Sequence, residues 1–343
     1  MNFHARRLAV PLLAFTLASG ARAMADPLAE LAAFSSFKTV NLDKLAGGAV
    51  QAVRGAAMSS PRGLAVESCY VVRKPLAKTV ELHLQWNPGS HSDLKVWLHG
   101  DLPARPAVAD FQKLQSAPGN SSVRALAAAT QKMASGDLQL SAAEAKAFDG
   151  AGDAQGGSLP PNVRSFWGSV LLQRSQAFLS GGLSHLPPYE MGGETIRAAE
   201  EASRLLKEAA KVRGQFAALI DATPLGGEKG SLAPSPYWEL IDVEGCAALN
   251  LGALYSKQAA NSWQAVDVQY YSSGGYCVLL TFYQAWPVSI GGQDCTLVWR
   301  GDLISSRALA SLHGVERMGS STAMMRETQK FIERFLGDAA KPQ

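Results

Sequence analysis

Residues 286–303 read WPVSIGGQDCTLVWRGDL, and residues 86–102 read WNPGSHSDLKVWLHGDL. Each has a tryptophan, a turn rich in Pro, Gly and Ser, then Val-Trp, one or two residues, and Gly-Asp-Leu. The likeness extends outward at one offset: Ala65-Val66-Glu67 matches Ala265-Val266-Asp267, and Tyr70 matches Tyr270. Residues 37–42 (FKTVNL) resemble residues 238–243 (WELIDV), and Ser121-Ser122 with Thr130-Gln131-Lys132 echoes Ser320-Ser321 with Thr328-Gln329-Lys330. Matches in one order at nearly constant spacing are the mark of an internal repeat. The expected fold class is α+β: two tandem pseudo-symmetric β-α-β-β-β-α units, antiparallel meanders packed on helices, with a helical insertion between them. The boundaries are 1–23 for a signal peptide, 24–134 for the first unit, 135–236 for a linker and helical insertion, and 237–343 for the second unit.

In the first unit, residues 37–42 read as a strand and 43–57 as an Ala-rich helix weakened by Gly47 and Gly48. Residues 64–73, 78–86 and 94–102 read as a meander, with Pro88-Gly89 at the second turn. A short helix follows to about residue 114, and a longer one starts with Ser122 as N-cap. In residues 78–86, Val80, Leu82, Leu84 and Trp86 alternate with Glu81, His83 and Gln85, as on a strand with one wet face. The matching strand of the second unit has apolar residues at both parities (Leu279, Leu280, Phe282, Tyr283, Ala285, Trp286), so both its faces should be covered. Its turns, SSGG at 272–275 and SIGG at 289–292, suit backbone with positive φ. A last helix from Ser321 carries Met325, Thr328, Phe331, Ile332 and Phe335 as a core stripe. Between the units, 149–161 reads as a loop, 166–179 as a helix, and 195–221 as one helix about 40 Å long, its Ala-rich stripe packing on a meander.

Residues 1–23 have a basic start (His4, Arg6, Arg7), an apolar run and Ala21-Arg22-Ala23, the pattern of a cleavable secretory signal. The apolar run is shorter than the ~20 residues that span a bilayer, and no later stretch is long and apolar enough. The expected mature protein is periplasmic or secreted. The formal charge is +3, and Arg6, Arg7 and Arg22 account for that excess, so the remainder is close to neutral. A neutral chain lacks the basic field that nucleic-acid binding needs. With 47% hydrophobic and 18% charged residues, the chain can bury a large core. Four cysteines, Cys69, Cys246, Cys277 and Cys295, suggest two disulfides in an oxidising compartment. Cys277 with Cys295 is disfavoured, because a regular hairpin holds them on the order of 30 Å apart. They show no metal-ligand spacing.

No nucleophile elbow, zinc-protease helix, phosphate loop or dinucleotide fingerprint occurs in the sequence, so no cofactor is implied. His83, His91 and His99 fall close together, and they read as surface histidines rather than metal ligands. Asp101 and Asp302, each after a glycine at a strand end, read as turn carboxylates. An alternative is a periplasmic hydrolase at the junction of the units, using Asp101 or Asp302 with His99 or Arg300. Trp263, Tyr270, Tyr271 and Tyr276 surround the first turn of the second unit, a candidate aromatic platform for a ligand. The function expected is non-enzymatic: binding a small apolar molecule, or association with another envelope protein.

Overall fold

The computed structural model describes residues 26–133, 138–150, 159–191, 193–226, 230–243, 245–259 and 261–341. The expected signal peptide, 1–23, lies outside them, as does residue range 151–158 of the expected loop. In chain order the elements are α1 (Pro27–Phe34), α2 (Leu42–Ala46), β1 (Gln51–Arg54), β2 (Gly63–Val72), α3 (Leu76–Gln85), β3 (Val96–Asp101), α4 (Ser121–Lys132), α5 (Ala142–Lys146) and α6 (Pro161–Gly181). There follow β4 (Tyr189–Met191), β5 (Glu194–Ile196), α7 (Ala198–Glu208), α8 (Ala210–Gln215), α9 (Ala217–Ile220), β6 (Ser235–Val243), β7 (Cys246–Ala259), β8 (Ser262–Ser272), β9 (Val278–Ile290), β10 (Gln293–Ser305) and α10 (Gly314–Ala339).

The fold is α+β. One antiparallel sheet of eight strands, in the order β1-β2-β10-β9-β8-β7-β6-β3, draws on both expected units. Strands β6 to β10 form a continuous meander, closed by the turn at Gly291-Gly292, where both residues have positive φ. Strand β2 then joins β10, pairing Val72 with Thr296 and Gly63 with Ser305. Covering an antiparallel sheet on both faces requires apolar residues at both parities, and β9 meets that requirement. Leu280, Phe282 and Trp286 enter the main core with Trp238, Leu251, Trp299 and the helices α1, α6 and α7. Tyr283 and Ala285 face a second layer with Tyr70, Trp263, Ile332 and Phe335, under α3 and α10.

Several expectations are corrected. Residues 78–86 are not a strand: 78–85 are most of α3, packed across β8, β9 and β10, and Trp86 is its C-cap. Residues 37–41 form no strand, and the expected helix over 43–57 shrinks to α2 followed by β1. Where the second unit's helix was expected, the Ala-rich segment from Cys246 forms β7, a strand of 14 residues. The aligned halves therefore fold differently: the tryptophan of one motif ends a helix, and that of the other lies inside a strand. The 195–221 helix is broken into α7, α8 and α9 at Ala209 (φ −87°, ψ 49°) and Phe216 (φ −100°, ψ 13°). Its stripe nonetheless packs inward, with α7 lying on β9 and β10. Asn120, not Ser122, caps α4, accepting from the Val123 amide at 2.9 Å.

The expected disulfides are also absent: all four cysteines are free. Cys69 pairs across strands with Trp299, four residues along β10 from Cys295. Cys277 is hydrogen-bonded to Ser305 at the opposite end of β10, about 30 Å from Cys295 at strand rise. Cys246 is exposed at the start of β7. No pair comes within the ~7 Å that bridged Cα atoms require. Among the described residues, no helix is long and apolar enough to cross a membrane.

Candidate functional site

Between the sheet and the α3/α10 layer lies a cleft of about 330 Å³. The floor takes one side-chain parity from each strand it crosses: Tyr70 on β2, Arg300 on β10, Tyr283 on β9, Trp263, Asp267 and Gln269 on β8, Leu254 on β7, Tyr237 and Glu239 on β6, and His99 on β3. The roof is His83 and Trp86 from the α3 end and Phe331, Ile332 and Phe335 from α10. A larger open groove, near 850 Å³, lies around Ala125, Cys246 and Arg307, but its walls are mostly alanine, serine and glycine. The cleft is where polar groups converge inside an aromatic shell, the usual character of a small-molecule site.

One end is built on Arg300. Its Nε donates to Asp302 Oδ1 and Oδ2 at 3.0 and 2.9 Å, and its Nη2 donates to Oδ1 at 2.8 Å. Thr281 Oγ1 also donates to Asp302, at 2.7 Å. The guanidinium carbon sits 4.9 Å from the Phe331 ring centre and 5.6 Å from that of Tyr283. Burial disfavours its charge, but the Asp302 carboxylate outweighs burial and keeps Arg300 protonated. Its Nη1 is buried and has no hydrogen-bond partner. Leaving such a donor unmet is costly. Beside it, the Tyr70 hydroxyl and His83 Nε2 are 3.0 Å apart. The His83 ring stacks on Phe335 at 4.2 Å. Burial, reinforced by the Arg300 charge, lowers the His83 pKa to about 3, so the ring is neutral.

The other end is acidic. The Tyr237 hydroxyl donates to both oxygens of Asp267, at 2.9 and 2.8 Å. Tyr237 reaches across β7 because its partner there is Gly252, where any Cβ would stand 2.3 Å from the tyrosine ring. Burial pushes the Asp267 pKa up to about 7, opposed by the Tyr237 hydrogen bond and assisted by the Glu239 charge. His99 lies 3.0 Å from Glu239 through Nδ1 and 3.3 Å from Asp101 through Nε2, and it stacks on Tyr237. Burial works against protonating His99, but the bond to Glu239 wins and raises its pKa. The Tyr276 hydroxyl donates to Gln269. Among the described residues, no basic side chain forms an ion pair with Asp267, and no cluster of His, Cys, Asp and Glu could hold a metal.

The sequence candidates divide accordingly. His99 with Asp101 and Arg300 with Asp302 line or adjoin one cleft but from its opposite ends, on β3 and β10, with β6, β7, β8 and β9 between. Asp101 closes β3 as expected, whereas Asp302 is not at a strand end: it lies within β10 and is buried. Of the aromatic platform, Trp263 and Tyr276 line the cleft. Tyr270 and Tyr271 point to the main core, where Tyr270 stacks on Phe178 at 3.8 Å and Tyr271 lies under Arg174. Sequence reasoning missed Tyr237, Glu239, Asp267, Tyr283 and the inward role of His83. The signal available was Asp267 itself, a carboxylate at the same strand parity as Trp263 in a strand with both faces covered. Comparison of the chain with protein-family models, with curated proteins and with solved structures finds no match.

Proposed function

We propose that this chain is an exported, non-enzymatic binding protein that holds a small, largely apolar molecule in the cleft beneath α3 and α10. The observation that carries this reading is the unpaired, buried Nη1 of Arg300 within an aromatic enclosure. A ligand oxygen placed at that donor would relieve its desolvation penalty, and the cleft volume of about 330 Å³ suits a compact molecule. The basic, apolar and small-residue pattern of residues 1–23 supports passage to a periplasm or the exterior. Hydrolysis finds less support. Asp302 is engaged by Arg300 and Thr281, and His99 and Asp101 stand at the far end.

The test is titration with N-phenyl-1-naphthylamine, a neutral apolar reporter of enclosed sites. One reporter should bind per chain, and Leu254→Trp, which adds bulk on the cleft floor, should weaken it at least tenfold while circular dichroism stays unchanged. Binding that is absent, or indifferent to Leu254→Trp, would refute the reading. Sequencing the N-terminus of the exported protein should place cleavage after Ala23.

A further inference from the structure

The two ends of the cleft differ in chemistry, and, granted that the cleft takes a ligand, the difference selects which one. We infer that the ligand is an organic cation with an aromatic body: its ammonium group binds at Asp267 and Glu239, and an oxygen at its far end accepts from Arg300 Nη1.

Charge pairing leads to this assignment. The positive charge of Arg300 is met by Asp302, with two of its three nitrogens committed there. His99 is shared between Glu239 and Asp101. Asp267 accepts from the Tyr237 hydroxyl alone, and the Arg300 charge that reaches it is opposed by Glu239 and Asp302. His99 thus serves Glu239 and the exposed Asp101, and once Asp267 ionises its negative charge has no basic side chain paired with it. An anionic ligand would meet that field unfavourably. A wholly apolar ligand would only dry the site and hold Asp267 in its protonated form, without using its charge. A cation removes the deficit. The walls suit it, since Tyr237 and Tyr276 present rings around this end, and aromatic faces attract ammonium groups.

The span is set by the sheet. Asp302 pairs with Thr281 and Thr281 with Asp267, so the two poles are two strand spacings apart, on the order of 10 Å. An arylalkylamine with a ring oxygen covers that distance, its ring lying among Tyr283, Trp263 and Phe335. Asp267 holds its proton near neutrality, and an ammonium group beside it would favour the ionised form, so binding at pH 6 should release protons.

Calorimetric titration of the whole protein with four probes tests the assignment. Tyramine carries both poles, phenethylamine lacks the oxygen, 4-ethylphenol lacks the amine, and 3-(4-hydroxyphenyl)propionate replaces the amine with a carboxylate. Tyramine should bind at least tenfold more tightly than 4-ethylphenol and severalfold more tightly than phenethylamine, and the propionate should bind weakest. Asp267→Asn should erase the preference of tyramine over 4-ethylphenol without weakening 4-ethylphenol. Glu239→Gln should reduce that preference and serves if Asp267→Asn fails to fold. Equal binding of tyramine and 4-ethylphenol, or a preference that survives both substitutions, overturns the cation assignment. So does failure of all four probes while the naphthalene reporter still binds one to one. Loss of the reporter as well removes the site itself, which separates this failure from that of the binding reading.

Discussion

Replacing Asp267 with asparagine keeps an oxygen for the Tyr237 hydroxyl and removes the one carboxylate in the cleft with no basic neighbour. Burial lifts its pKa from 3.8 to about 7. For an acid the sign follows directly: between about pH 4 and pH 7 the folded protein holds a proton that the unfolded chain has released. Stability therefore falls as pH rises through that window, and the loss is complete above the folded pKa. At about 1.4 kcal/mol per pKa unit, a shift of roughly three units caps the cost near 4 kcal/mol. Asp267 is only partly enclosed, so water in the cleft screens some of it, and about 2–3 kcal/mol is the expected range. Urea unfolding of both proteins at pH 4, 5.5, 7 and 8.5 gives the difference directly. Asp267→Asn should be nearly neutral at pH 4, increasingly stabilising to pH 7, and constant above it. A difference flat with pH, or one that shrinks as pH rises, would refute the burial argument.

Gly252→Ala should force the Tyr237 ring off Asp267, since the new Cβ meets it at 2.3 Å. Overpacking plus the lost bond should cost about 2–4 kcal/mol, seen as a lower melting temperature. His83, neutral in the fold with a pKa of about 3, predicts a loss of stability as pH falls below about 6.5. His83→Gln, which cannot charge, should narrow that loss by about 2–3 kcal/mol at pH 4.5. With all four cysteines free, reductant should leave the melting temperature unchanged, and a thiol reagent should label Cys246 first in the native protein. Arg174 donates to both oxygens of Glu144 while nearly fully buried, so Arg174→Ala should cost about 3–5 kcal/mol in denaturant unfolding by stranding Glu144.

The strands with strict local signals were legible in the sequence. Gly291-Gly292 announced the β9/β10 turn, and apolar residues at both parities of β9 announced helices on both faces. The stripe of α10 and the apolar segment of α6 were equally plain. Helix α3 was not, because His83 reads as a polar, outward residue. Buried and neutral, it joins Thr79, Val80 and Trp86 on the inward side of a helix, and with His83 counted apolar the alternation gives way to a 3.6-residue period. The segment from Cys246 misled in the opposite way. Its small residues look like helix formers, but alanine and glycine let β7 pass beneath the Tyr237 ring. The Gly-Asp pairs are one part of the repeat pattern, and their glycines share a simpler reason: a Cβ at Gly100 would strike Trp238 at 2.4 Å, and one at Gly301 would strike Trp299 at 2.3 Å. The cleft was hidden because its members come from seven strands of one sheet, and no local pattern records which of them become neighbours.

The docking of β2 against β10 joins segments separated by most of the described chain. Closing so large a loop costs entropy before any contact rewards it, and folds dominated by such pairings assemble slowly. Until β10 exists, β2 has only the four residues of β1 as a partner, and α10, which roofs the cleft, comes later still. A ribosome-bound fragment therefore cannot complete either layer, and it exposes a long apolar strand edge of the kind that aggregates. The sheet therefore closes only after β10, Gln293–Ser305, has formed.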